Sequence, residues 1–366
     1  MNEQAGANKA GTAEGALLLC LLQTPPDAAK ASDLAAKVGD WPLFLALTRR
    51  HRVVSLATAR LPADSAPAST MDGLRVTWHQ RNSLGLRQVA EAAQLMKRLQ
   101  ADGVACLLLK GPGLSERAYG QPLLRDGRDI DILIAPAQLP RAEATLRAAG
   151  LVMEHPFPRS PRVWRRLHLR YSHEFLLKTP SGILVELKTR LSPTASLLPM
   201  TAKSMLARHE LRSVAGKPLA VPGEGDLLLY LCSHGARHCW FRLKWLADVS
   251  ALLSEGGEEA CRQLLAKAEA LGAEVPVLEA MSLCHHWLAC PIPADLLAQA
   301  HSHPLVTKRR PMVEACVWNP SPLSDPGFNR LQERAEYLLR ADAVYRLALL
   351  ERHTLVRAKA LLRRLF

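Results

Sequence analysis

The spacing of apolar positions changes period along the chain, and those changes mark out its parts. Between 16 and about 60, most clearly in WPLFLALTRRHRVVSLATARL, apolar residues recur at the spacing of an amphipathic helix. A Pro/Ala/Ser-rich break follows at 62–70, and a second helical stretch from about 72 to 101 runs out at Asp102 and Gly103. The period then shortens. VACLLLK (104–110) is an apolar run of strand length, GPGLSERAYG predicts a short helix, DIDILIA a strand, and PAQLPRAEATLRAAG a helix closed by Gly150. YSHEFLLKT and ILVELKT, separated by the turn PSG, predict a hairpin. Beyond about 200 the pattern is helical again, apart from VAGKPLAVPGEG at 214–225, and no internal repeat is evident. The expectation is an α+β chain: a disordered N-terminus (1–15), a helical N-terminal region (16–101), a small α/β core (102–200) and a helical C-terminal domain (201–366).

Polar residues set into apolar strands are the candidates for chemistry. In RDGRDIDILI (125–134), Asp129 and Asp131 point to one face of an extended chain while Ile130, Ile132 and Ile134 point to the other. Two carboxylates that close need a cation or a basic group between them. Mg²⁺ or Mn²⁺, bridging a nucleotide's phosphates, suits such a pair, and an edge carboxylate in a salt bridge is the ordinary alternative. About twenty residues upstream, LLLKGPG joins a strand to a helix. Gly111 and Gly113 let backbone N–H groups approach an anion beside Lys110, which makes a phosphate seat, although the spacing is not that of a P-loop. An ordinary turn with a solvated lysine has the same sequence. Arg125 and Arg128 are candidates to grip a triphosphate. In-line transfer also needs a group to orient or deprotonate the acceptor, and Glu186 in ILVELKT fits. The alternative is a strand acid paired with Lys188 or Arg190.

Composition narrows the class. The 366 residues are 48% hydrophobic, enough for a full core, and Lys plus Arg exceed Asp plus Glu by 47 to 34, a net +13 that favours anionic partners. Aromatics are only 5% and do not alternate with basic residues, which disfavours a dedicated single-strand-binding module. The eight cysteines form no CxxC pair, as expected in a reducing compartment. ALLLCLL (16–22) is too short to span a bilayer and lacks the features of a signal peptide, so the expectation is a cytoplasmic protein with no transmembrane segment.

The run LLLKGPGLSERAYGQPLLRDGRDIDILI resembles the core of the polymerase-beta-like nucleotidyltransferase superfamily, and specifically the bacterial "uncharacterised nucleotidyltransferase" family. The matching positions are Lys110, Gly111, Tyr119, Arg125, Asp129 and Asp131, followed in HGARHCWFRLKWLADVSALL by His234, His238, Trp240, Arg242, Trp245 and Asp248. The resemblance implies a small mixed-sheet nucleotidyltransferase core flanked by helical regions. It implies Asp129, Asp131 and Glu186 as catalytic metal ligands. Beside them the helix of the second run presents His234, His238, Arg242 and Lys244 toward a bound nucleotide such as ATP, or else both tryptophans belong to the core and the cations are solvated. Lys110-Gly111 stands where the superfamily usually has Gly-Ser, and Glu186-Leu187-Lys188-Thr189 where an Asp often precedes Leu-His-Trp. A zinc site at His234 and His238 is disfavoured because Gly235 occupies the position of the HExxH glutamate.

The function expected is a Mg²⁺-dependent transfer of NMP from an NTP to an acceptor hydroxyl, with pyrophosphate released. The acceptor, whether small molecule, peptide, protein or RNA, is not encoded in any motif. The alternatives are a non-catalytic regulatory protein on the same scaffold and a DxD glycosyltransferase, which requires more strands ahead of the acids. The ending RHTLVRAKALLRRLF is a basic amphipathic helix that suits RNA, a membrane surface or, more commonly, its own domain.

Overall fold

The structure, a computed structural model, describes residues 11–153, 173–320 and 325–365, with side chains to residue 357. Residues 1–10 of the expected disordered N-terminus, and Tyr171 and Ser172 of the expected hairpin, lie outside the described residues. Thr12 accepts from the Gly15 amide at 3.2 Å and caps a helix that already begins at Ala13, ahead of the boundary expected at residue 16.

The N-terminal region is a set of short helices, Ala13–Leu21, Ala28–Ala35, Trp41–His51 and Val54–Arg60, followed by the long Ala68–Ala101. Arg52 separates the third from the fourth in a left-handed conformation (φ 56°, ψ 51°). Strands β1 (Cys106–Leu108), β2 (Asp129–Ile134), β3 (Val152–Met153), β4 (Glu174–Lys178) and β5 (Leu184–Lys188) form a sheet in the order β1-β2-β5-β4-β3. The β2–β5 pair is parallel and the other pairs are antiparallel. Among the described residues only the three-residue β1 precedes β2 in the sheet, whereas a glycosyltransferase-like arrangement needs more.

The sheet register follows from the alternation in β2. Ile130 and Ile132 pair with Val185 and Leu187, and all four side chains are at most 2% exposed. One apolar face is thereby sealed into the core, and Asp129, Asp131 and Glu186 are forced to the other. Residues 209–213, expected to be helical, join the Pro- and Gly-bearing stretch set apart at 214–225 in a two-stranded hairpin, β6 (His209–Val214) and β7 (Lys217–Pro222). Most of β6 is solvent-exposed, so no apolar alternation marked it in the sequence.

The helices Glu224–Arg237 and Leu243–Ala270 meet at a turn in which Cys239 and Trp240 both have positive φ. Trp240 is fully buried, and a Cβ at Gly235 would overlap its ring. Packing thus explains the glycine where a zinc motif would need Glu. The Trp240 indole donates to Glu279 at 2.9 Å, and Arg309 pairs with Glu279 at 2.7 Å while donating to the Ala236 carbonyl at 2.8 Å. Two further contacts tie the N-terminal helices to the core: the Asp126 carboxylate accepts from the Val54 amide (3.2 Å) and the Ser55 hydroxyl (2.5 Å), and the Leu243 amide donates to His51 Nδ1 at 3.2 Å. In the Ala343–Leu365 helix, Arg352 and Arg357 pair with Glu336 and Glu333 of the Pro326–Glu336 helix, so its described part docks on its own domain.

Glu279→Ala strands a buried guanidinium and an indole N–H. It should lower unfolding free energy by about 3–5 kcal/mol, read by urea denaturation. A loss under about 1 kcal/mol would mean that this pair does not hold the turn.

Candidate active site

Residues directly opposite on neighbouring strands share a face. Asp131 pairs with Glu186 across β2–β5, and Glu186 and Lys188 pair with Leu176 and Glu174 across β5–β4. Asp129, Asp131, Glu186, Lys188 and Glu174 therefore lie on one side of the sheet. Lys110, two residues past β1, places its Nζ 3.2 Å from Asp131. Lys188 lies 3.4 Å from Asp131, 2.6 Å from Glu186 and 2.7 Å from Glu174. The alternative partner foreseen for Glu186 is thus present. The lysine also does more, since it sits at the centre of three acids.

The charges do not balance evenly. Burial alone would raise the Asp131 carboxyl, yet Lys110 and Lys188 hold it well below the usual carboxylate range. Glu186 is pushed the other way: burial and then the Asp131 charge raise its carboxyl to about 7 in spite of Lys188. Burial would lower Lys188, but Asp131, Tyr230, Glu174 and Glu186 keep it well above its ordinary value. Asp131 Oδ1 is buried and faces both ammonium groups, Lys110 at 3.2 Å and Lys188 at 3.4 Å. With Asp129 and Glu174 on the same face, four carboxylates are set against Lys110 and Lys188. Asp129, at the start of β2, is half-exposed, in contrast to the buried Asp131.

Gly111 is the N-cap of the Pro112–Tyr119 helix, with φ +72°, and a Cβ there would meet nothing within 4 Å. Its conformation needs glycine, and the space above it is open. Gly113 is different: a Cβ would come 3.1 Å from Val221 Cγ1, so this glycine serves packing against β7 rather than close approach to an anion.

Several residues expected to face a nucleotide are otherwise engaged. Arg125 Nε donates to Asp248 at 2.8 Å, both side chains are buried, and the Tyr119 hydroxyl joins the same carboxylate at 3.1 Å. Buried Lys244 donates to the Asp126 carbonyl at 3.1 Å; burial, then Arg125 and Arg52, bring its ammonium well below the ordinary range. Both side chains brace the loop that carries Arg128 and Asp129. His234 and His238 pack on Trp245 with ring centroids 5.2 Å away, and His238 Nε2 accepts from Arg237 at 2.6 Å. Burial, with Lys110 beside His234 and Arg237 beside His238, keeps both imidazoles neutral near pH 7. They form a wall, not a pair of cations. Arg242 covers the rings of Phe241 and Trp245, with its guanidinium still half-exposed, and Arg128 is exposed. Glu174 and Lys188 escaped the sequence reading as site residues, although their odd-even spacing with Glu186 and the hairpin register carry the signal.

Glu186 ionises at 4.5 in an unfolded chain and at about 7 in the folded one. Between those values the native state holds a proton that the unfolded state lacks, so this group's contribution to stability is lost as pH rises. In metal-free buffer Glu186→Gln should gain on the parent protein from about pH 5 to about pH 8, by on the order of 2 kcal/mol. Thermal unfolding across that range checks it, and a difference independent of pH would contradict the raised carboxyl.

Among solved structures, one described as the solution structure of the antibiotic-resistance factor ANT(2'')-Ia matches at 12% identity, with 50% of this chain and 92% of that one covered, at a TM-score of 0.34. No curated protein sequence matches significantly. The profile described as "Uncharacterised nucleotidyltransferase" matches residues 37–289, well over half of the chain, and takes in the acidic sheet face, the Gly111 turn and the His234–Trp245 wall. The chain belongs to that uncharacterised nucleotidyltransferase family.

Proposed function

We propose that this protein transfers an NMP unit from an NTP to an acceptor hydroxyl, releasing pyrophosphate, with Mg²⁺ or Mn²⁺ held by Asp129, Asp131 and Glu186. The observation that carries this is the convergence of those carboxylates on one sheet face beside the open Gly111 turn. Among the described residues no three His, Cys, Asp or Glu side chains form a preassembled metal cage. The site nevertheless fits a hard divalent cation. Its carboxylate donors are all oxygen, and Glu186, raised by burial and by Asp131, holds a proton near neutrality that a cation would displace. Such a cation, when bound, neutralises phosphate charge and polarises the reacting phosphoryl group.

The chain's own residues supply the rest. The helix starting at Pro112 presents its unpaired N–H groups next to Gly111, a setting that favours phosphate. Glu186, ionising near the working pH, is suited to take the proton of the acceptor hydroxyl. Lys188 balances Asp131 while Glu186 is engaged with substrate, because Glu174 at 2.7 Å remains as its second partner.

A second reading, a regulatory protein that binds nucleotide without turnover, is favoured by one observation: Lys188 already sits among the acids where a cation is wanted. Release of pyrophosphate separates the two. Purified protein with labelled NTPs, Mg²⁺ and cell extract should pass label to an acceptor and release pyrophosphate; NTP binding without release across all fractions would favour the regulatory reading.

Asp129→Asn is the clean test of the acids, since Asp131→Asn also leaves Lys110 and Lys188 without their shared carboxylate. Asp129→Asn should reduce transfer by about a thousandfold or more with a thermal midpoint close to that of the parent. Retained activity would sink the assignment. Asp131→Asn should lose activity and, in addition, about 3 kcal/mol of stability.

A further inference from the structure

Arg52 belongs to the N-terminal helical region, ahead of the α/β core, yet hydrogen bonds pin it between the two loops that border the acidic face. On one side of it, His51 Nδ1 accepts from the Leu243 amide at 3.2 Å, next to Arg242. On the other, the Val54 amide and Ser55 hydroxyl donate to the Asp126 carboxylate at 3.2 and 2.5 Å, and Asp126 precedes Arg128 and Asp129 by two and three residues. Lys244 closes the ring by donating to the Asp126 carbonyl. Arg52, Arg128 and Arg242 are thereby gathered at the rim of the site.

That gathering is unfavourable in the free protein. Burial, followed by Arg242 and Arg128, lowers the Arg52 guanidinium to about 10, and burial, followed by Arg128 and Arg50, does the same for Arg242. Asp129 is the acid that tempers both, and among the described residues no carboxylate forms a direct ion pair with any of the three. Arg52 and Arg242 are half-exposed and Arg128 is exposed, so all three are open to a ligand. Arg52 also holds a left-handed backbone that costs a non-glycine residue on the order of 1 kcal/mol. A solvated arginine gives no reason to keep either cost.

We infer that Arg52, Arg128 and Arg242 form a grip for a di- or triphosphate chain, so that the N-terminal helices complete the active site. Three forked guanidiniums against one carboxylate suit a ligand with several adjacent anionic oxygens, and a single phosphate is too small to meet them together. The family match begins at residue 37, well ahead of β1, so the matched unit includes the segment that carries Arg52. The inference rests on the transferase reading for the identity of the ligand but not for its chemistry.

The test is isothermal titration of the full chain, with Mg²⁺ present throughout, using inorganic pyrophosphate, orthophosphate and a non-hydrolysable NTP. Arg52→Gly is the informative variant because glycine adopts the left-handed backbone freely and removes only the side chain. Its thermal midpoint should match the parent's within a few degrees. Pyrophosphate and NTP affinity should fall roughly 10- to 100-fold, and Arg52→Lys should recover part of the loss. NTP bound far more tightly than pyrophosphate marks the chain as a nucleotide's; equal affinities mark free polyphosphate; either supports the grip. Unchanged affinity in Arg52→Gly, orthophosphate bound as tightly as pyrophosphate, or no binding of pyrophosphate or NTP by the parent would overturn it. Should pyrophosphate bind in an Arg52-dependent way while the parent never transfers label, the transferase reading fails and the grip stands.

Discussion

Two carboxylates side by side on the inner part of a sheet face are the constraint around which this molecule is arranged. Asp131 and Glu186 are register partners on parallel strands, and the apolar alternation of β2 and β5 leaves them no other face to occupy. Their repulsion has to be met by cations. Lys110 and Lys188 supply two, which suffices to keep Asp131 ionised but not Glu186. An acid that remains hungry for positive charge next to one that has it is the electrostatic signature of a site waiting for a further cation or a proton.

The helical regions are best understood as supports for that face. The Leu243–Ala270 helix provides Asp248, which fixes Arg125 and Tyr119 and with them the loop leading into β2. The fully buried Trp240, held by Glu279 and packed over Gly235, sets the turn that returns Phe241, Arg242 and Trp245 to the rim. Asp126 draws the N-terminal helices onto the same loop. Removing any one of these supports would move charged groups relative to the acids without touching the sheet. The division into separate helical and α/β parts is therefore weaker in space than along the chain.

Much of the sheet was legible in the sequence. The period-2 pattern of DIDILI and LVELK, with PSG between the hairpin strands, fixes which side chains share a face, and Gly111 and Pro112 mark the helix start. Illegible were the partners supplied from far away. Arg125 and Lys244 look like free cations in sequence but meet an acceptor 123 and 118 residues distant. Arg52 was hidden by the opposite effect, since in TRRHR it reads as one more charge on a helix face, and only the left-handed break after His51 gives it a direction. Lys188 was visible only as a neighbour of Glu186; its central place depends on the register of β4 against β5.

The claim that most needs testing is that the Asp129/Asp131/Glu186 face takes a divalent cation in exchange for the Glu186 proton. Electron paramagnetic resonance of Mn²⁺ titrated into the protein, with a non-hydrolysable NTP present, measures this directly. Affinity is expected to rise with pH through about 7, as Glu186 gives up its proton. No Mn²⁺ bound at any pH, or binding equally tight at pH values well below and well above 7, would contradict it.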